Sequence, residues 1–73
     1  MEERIAVPSR DIAIIGYDIN EKRLEIAFRA GGVYRYEGVS EDLFTAFRNA
    51  ESHGRFFQEH IKGRYPYNKV NLN

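Results

Sequence analysis

Two adjacent glycines, Gly31 and Gly32, divide the middle of this 73-residue chain into two short alternating runs, Leu24-Glu25-Ile26-Ala27-Phe28-Arg29 and Val33-Tyr34-Arg35-Tyr36. Alternation with period two marks a strand with one buried face, and glycines between two such runs predict a β-hairpin. Loop length then decides which way the tyrosines point. Opposed residues of an antiparallel pair share a face, so a change of one residue turns every side chain over. With a two-residue loop, Gly31-Gly32, Phe28 faces Arg35, and the tyrosines join Glu25 and Arg29 on the polar face. With a three-residue loop, Arg29-Ala30-Gly31 with Gly31 left-handed, Phe28 faces Gly32, Ile26 faces Tyr34 and Leu24 faces Tyr36. Both loops are common, the second as a type I turn with a glycine bulge. The longer one is expected because it keeps Arg35 and Glu37 out of the core, at the cost of an outward Val33. Tyr34 and Tyr36 then belong to the inner face, with their hydroxyls able to reach its rim.

The neighbouring segments follow from the same kind of pattern. Ile12-Ala13-Ile14-Ile15-Gly16-Tyr17 is apolar at both parities, as expected of a strand covered on both faces in the middle of a sheet. Residues 1–8 are polar, end at Pro8 and show no period, so they are read as a loose lead-in. After Gly38 the period becomes helical. Ser40 is placed as N-cap, Glu41 and Asp42 oppose the helix dipole, and Val39 can staple onto Phe44. Leu43, Ala46, Phe47 and Ala50, with Phe44 beside them, predict the packed face. Ser52 opens a second, shorter helix with Phe57 and Ile61 on one stripe, and Gly63 ends it. Tyr65-Pro66 forces extended backbone, so the rest of the chain is read as a segment returning over the body, with an edge strand as one option. The expected fold is α+β: a three-stranded antiparallel meander, two short helices packed on one face, and an extended C-terminal segment. The domain is placed at residues 9–68, with 69–73 as a tail.

A chain this short buries only roughly 60% of its extended surface, so its five Phe and five Tyr are needed first of all for the core. The absence of cysteine excludes disulfides and thiolate metal sites. No apolar run approaches a membrane span and no leader is recognisable, so a cytoplasmic protein without a membrane partner is expected. The formal net charge is zero, which argues against long-range steering toward a polyanion. Charge is nonetheless unevenly spread: residues 1–42 hold six Lys/Arg against nine Asp/Glu, and residues 43–73 hold five against two.

Three blocks of the chain resemble the KTSC domain family: Gly31-Gly32-Val33-Tyr34-Arg35-Tyr36, Ala50-Glu51-Ser52-His53-Gly54-Arg55-Phe56-Phe57 and Ile61-Lys62-Gly63-Arg64-Tyr65-Pro66-Tyr67. Tyr34 and Tyr36 match the family's central tyrosine pair, and the resemblance extends over residues 9–68. The family is named for the C-terminus of certain lysyl-tRNA synthetases and also occurs as free-standing small bacterial and phage proteins. That context implies RNA binding.

Searched for chemistry directly, the chain offers little to an enzyme. His53 and His60, seven apart, lie roughly 10 Å apart along a helix, too far to share one metal ion. Ser52 and His53 are adjacent, which is not the geometry of an activated hydroxyl. Gly31-Gly32 lacks the lysine and helix of a phosphate-cradling loop. No catalytic residue, metal or cofactor is therefore expected. What remains is the basic and aromatic material late in the chain. Single-strand binders combine a cationic groove with aromatic faces on which bases stack. Arg55, His60, Lys62, Arg64 and Lys69 supply the first ingredient, and Tyr65 and Tyr67 the second. Tyr34, Arg35 and Tyr36 complete the expected nucleic-acid-binding set, with Arg35 contacting phosphate. The competing reading of the same aromatics is core packing, with the cations as an ordinary solvated face. Two functions are thus carried forward: a non-enzymatic module binding RNA or single-stranded nucleic acid, or a protein-interaction module presenting a sheet edge or aromatic patch.

Overall fold

The computed structural model of the chain describes residues 2–70, with side chains from residue 4 onward. Five strands form one antiparallel sheet in chain order. They are β1 (Glu2–Ala6), β2 (Ile12–Asp18), β3 (Arg23–Phe28), β4 (Val33–Glu37) and β5 (Tyr67–Val70). Between β4 and β5 run α1 (Glu41–Arg48) and α2 (His53–Phe56), the latter continuing through Phe57–Ile61 as a wider π-type turn. The α+β class and the two helices agree with expectation, whereas the three-stranded meander is corrected to five strands. Among the described residues no helix is long and apolar enough to cross a membrane.

The hairpin adopts the longer loop. The Phe28 amide donates to Gly32 O and the Gly31 amide to Phe28 O, and both glycines have positive φ, 117° and 92°. Leu24 consequently opposes Tyr36 and Ile26 opposes Tyr34. Val33 and Arg35 face outward.

One strand escaped the sequence reading, and a second, left there as one option, is present. Residues expected as a loose lead-in pair with β2 as β1, where Ile5 lies opposite Ile15 and packs against the core. Ile5 and Val7, the core-facing apolar residues described in this polar stretch, are too few to establish a period, so only the partner strand reveals it. At the other edge β5 pairs with β4, Tyr34 opposite Lys69 and Tyr36 opposite Tyr67. The last tail residues, 71–73, and Met1 lie outside the described residues.

β2 is not covered on both faces, and the central strand is β3. A bulge between Ile12 and Ile14 shifts the register. It lets Ile12 and Ile15, three apart, both point inward at 0% exposure, and sends Ile14 outward at 40%. The second face of the sheet is instead mixed, with Ala6, Ile14, Ala27, Val33 and Val70 aligned as an apolar row. Across the same face runs the row Arg4, Gly16, Glu25, Arg35, Asn68.

The helices cover the inner face. Ser40 Oγ accepts from the Leu43 amide at 3.1 Å and Ser52 Oγ from the Arg55 amide at 3.2 Å, which confirms both N-caps. The buried face of α1 is Phe44 and Phe47, with Leu43 half-buried and Ala46 exposed. The expected stripe is thus turned by about one position, because Tyr17 stacks on Phe44 at 4.8 Å and donates its hydroxyl to Val39 O at 2.6 Å. Along α2, Phe57 and Ile61 join the core while Phe56 lies on Phe47 at 5.4 Å. The Lys62 amide reaches back to Phe57 O, and Gly63 at φ 76° ends the helix.

Candidate nucleic-acid interface

Loop parity and the β4–β5 register bring Tyr34, Tyr36, Tyr67 and Lys69 to one face of the sheet. Tyr67 lies 5.4 Å from the Tyr36 ring and 5.8 Å from the Tyr34 ring. Phe57, arriving from α2, sets its edge against Phe28 and Tyr36 at 5.4 and 5.8 Å. Between these rings and the hairpin turn opens a cleft of about 510 Å³, rimmed by Arg10, Asp11, Gln58 and Lys62. Tyr36 forms part of its floor at 4% exposure, and Tyr67 stands at 57%. No buried side-chain polar atom among the described residues lacks a partner. The Tyr36 hydroxyl has no hydrogen bond among those residues, so it opens on the cleft. Burial first, then the neighbouring Tyr67 and Tyr34, push this hydroxyl up to about 12. It therefore stays a neutral donor at any physiological pH.

The cations divide by whether their charge is already used. On the outer face Glu25 receives Arg4 at 3.0 Å and Arg35 at 3.1 Å, with its own side chain only 11% exposed. Gly16, standing between Arg4 and Glu25 in the register, places no side chain in the way. Arg23 is held by Glu37 at 3.0 Å, and that hydrogen bond raises the basicity of its guanidinium. Arg29 donates to Ser9 O at 2.6 Å and Val7 O at 3.0 Å, clamping the chain between β1 and β2. Arg64 donates to Glu59 O, and Arg55 lies 3.8 Å from Glu59 Oε2. Arg10, Lys62 and Lys69 have no such partner among the described residues, and neither does Lys22 on the β2–β3 turn. Arg10 and Lys62 line the aromatic cleft, and Lys69 lies at its hairpin end. A Cβ on Gly32 would sit 3.5 Å from Lys69 Cε and 3.3 Å from the Tyr34 ring.

The structure therefore assembles Tyr34, Tyr36, Tyr67, Lys62 and Lys69 from the expected set and disperses the others. Arg35 is on the opposite face. His60 packs at 4.5 Å on Phe56, away from the cleft. Tyr65 is half-buried against the core, and Arg55 and Arg64 do not line the cleft. Sequence reasoning missed Arg10, Asp11 and Gln58. The one local signal is Ser9, whose Oγ accepts from the amides of Asp11 and Ile12, a short-range hydroxyl turn. His53 is buried, with Nε2 on Arg48 O at 3.1 Å, and ties the two helices together.

Comparison with known proteins places this architecture. The KTSC domain family model matches residues 8–65. An uncharacterised protein of Stutzerimonas stutzeri is 35% identical over 63 residues, covering 86% of this chain and 89% of its own. A protein of Tsukamurella paurometabola is 37% identical over 59 residues, 81% and 88% of the two chains. The crystal structure of a KTSC domain protein from Yersinia pestis superposes with a TM-score of 0.93 at 42% identity, covering 97% of this chain and all of that one. By sequence and by fold alike, the chain belongs to the KTSC domain family.

Proposed function

We propose that this protein is a non-enzymatic binding module for single-stranded RNA, and that its binding surface is the aromatic cleft. The supporting observation is that cations without a partner among the described residues, Arg10, Lys62 and Lys69, gather around a cleft floored by tyrosine rings. Paired cations have their charge compensated and gain little from a phosphate. Unpaired ones beside an aromatic surface are what a stacked base and its flanking phosphates require. The surface is small, one or two nucleotides with at most three phosphate contacts. Modest affinity and a shallow salt dependence follow.

Fluorescence anisotropy with a short labelled RNA tests this. Contact with three phosphates gives a slope of log K against log salt of about −2 for a single strand. Tyr67→Ala removes an exposed stacking surface worth about 1 to 3 kcal/mol per base. No measurable binding at ~50 mM salt, where the phosphate term is strong, would eliminate the proposal.

A protein-interaction role is the competing reading, and the exposed edge strand β5 supports it, since an extended peptide adds to such an edge through its backbone. It would show as binding insensitive to salt and a partner free of nucleic acid.

A further inference from the structure

A second cleft, about 400 Å³, adjoins the aromatic one, and Arg10, Asp11 and Gln58 line both. Its character is different. Ser9 and Ser52 stand in its wall, but both hydroxyls already accept from backbone amides. His53 Nε2 is committed to Arg48 O. The carboxylates of Asp11 and Glu51 have no donor among the described residues. Unused donors remain here in the Arg10 guanidinium, the Gln58 amide and the serine O–H groups, and of the two unused carboxylate acceptors only Asp11 also lines the aromatic cleft.

Asp11 is also held in place. Its amide donates to Ser9 Oγ at 3.3 Å and its carbonyl accepts the Arg29 amide at 2.8 Å. Arg29 in turn clamps Val7 and Ser9, so the backbone carrying the carboxylate is fixed from both sides. Gly54 faces it, and a Cβ there would lie 3.5 Å from Asp11 Oδ2, so the absent side chain leaves room beside the carboxylate.

A ligand matching both clefts carries an aromatic ring, an anionic group for Arg10 or Lys62, and next to them a hydroxyl able to donate. We infer that Asp11 reads the ribose 2′-hydroxyl of a nucleotide whose base occupies the aromatic cleft, and that this contact makes the module select RNA over DNA. The inference rests on the RNA-binding reading above and adds the group that discriminates. The 2′-hydroxyl is the donor that deoxyribose lacks. A carboxylate left without that donor gains nothing from DNA and repels its phosphates.

Anisotropy with RNA and DNA oligonucleotides of one sequence tests it on the full chain. A charge-assisted hydrogen bond predicts that the wild type prefers RNA by roughly tenfold. Asp11→Ala, at an exposed side chain with no partner among the described residues, should bring that ratio close to one by weakening RNA binding while leaving DNA binding unchanged or slightly tighter. Lys62→Ala should weaken both and preserve the ratio. Equal wild-type affinity for RNA and DNA overturns this inference and leaves the binding function standing, as does an Asp11→Ala loss shared equally by both. Binding to neither overturns both.

Discussion

Arg35 separates two uses of a cation, and its removal is the most informative perturbation outside the cleft. Its Nε and Nη2 both donate to Glu25 Oε2, at 3.2 and 3.1 Å. The Arg35 side chain is 37% exposed, so the pair is partly screened by solvent. Arg35→Ala does not orphan Glu25, because Oε1 keeps Arg4 at 3.0 Å. Although Glu25 itself is only 11% exposed, it keeps a second partner and solvent screens the arginine, so the loss is that of a solvent-screened pair, about 0.2 to 1 kcal/mol. For a domain this small, 1 kcal/mol moves Tm by about 4 to 8 °C, so a fall of roughly 1 to 8 °C is expected in thermal unfolding. Glu25→Ala releases both arginines at once and should cost more than Arg35→Ala. RNA affinity and its salt slope should be unchanged in Arg35→Ala, since the residue lies across the sheet from the cleft. Each phosphate contact contributes about 0.7 to the single-strand slope. If Arg35→Ala lowers RNA affinity and slope as Lys62→Ala does, the binding surface is the outer face and the reasoning from unpaired cations is wrong.

Phe57, 7% exposed and wedged against Phe28 and Tyr36, closes the cleft floor over the core, and Phe57→Ala should cost about 3 to 5 kcal/mol in denaturant unfolding. A cost below ~1 kcal/mol would mean that the ring is not a core element. At Gly32, φ is 92° and an added Cβ meets the Tyr34 ring at 3.3 Å, so Gly32→Ala should destabilise by about 1 to 3 kcal/mol. Gly54→Ala, in a helix with nothing closer than 3.5 Å, should be neutral or mildly stabilising, and equal effects at the two sites would contradict the geometry. Tyr36 is held protonated to about 12 in the folded chain, against about 10 when unfolded. The unfolded state loses that proton first, so the stabilisation is complete below pH ~10 and is lost as pH rises toward ~12. Burial raises the Tyr17 hydroxyl as well, so it adds to the same decline. Tyr36→Phe should flatten the fall of unfolding midpoints across that window, and an unchanged slope would refute the assignment.

Local physics was legible in the sequence alone. The glycine pair and the charges at 35 and 37 determined the hairpin parity, hence that Leu24 meets Tyr36 and Ile26 meets Tyr34. Ser40 and Ser52 announced both helix starts, and Gly63 the end of the second, because caps and left-handed turns depend on residues a few positions apart. Family membership was legible too, from three blocks in fixed order. Tertiary structure decided what depends on a distant partner. β1 is a strand only because β2 offers it an edge, and the bulge before Ile14 inverts the faces of a segment whose composition suits either one. The candidate site shows the same division. Tyrosines and cations are visible in the chain, but whether a charge is free is a property of pairs. Arg35 is taken up by Glu25, ten residues away, while Arg10, from the polar stretch before β2, lines the same cleft as Lys62 without an ion-pair partner among the described residues. Sequence spacing carries no record of which acid reaches which base, and that pairing, set by sheet register and helix placement, moved the candidate surface from Arg35 and the basic segment at the end of the chain to the cleft that the tyrosines floor.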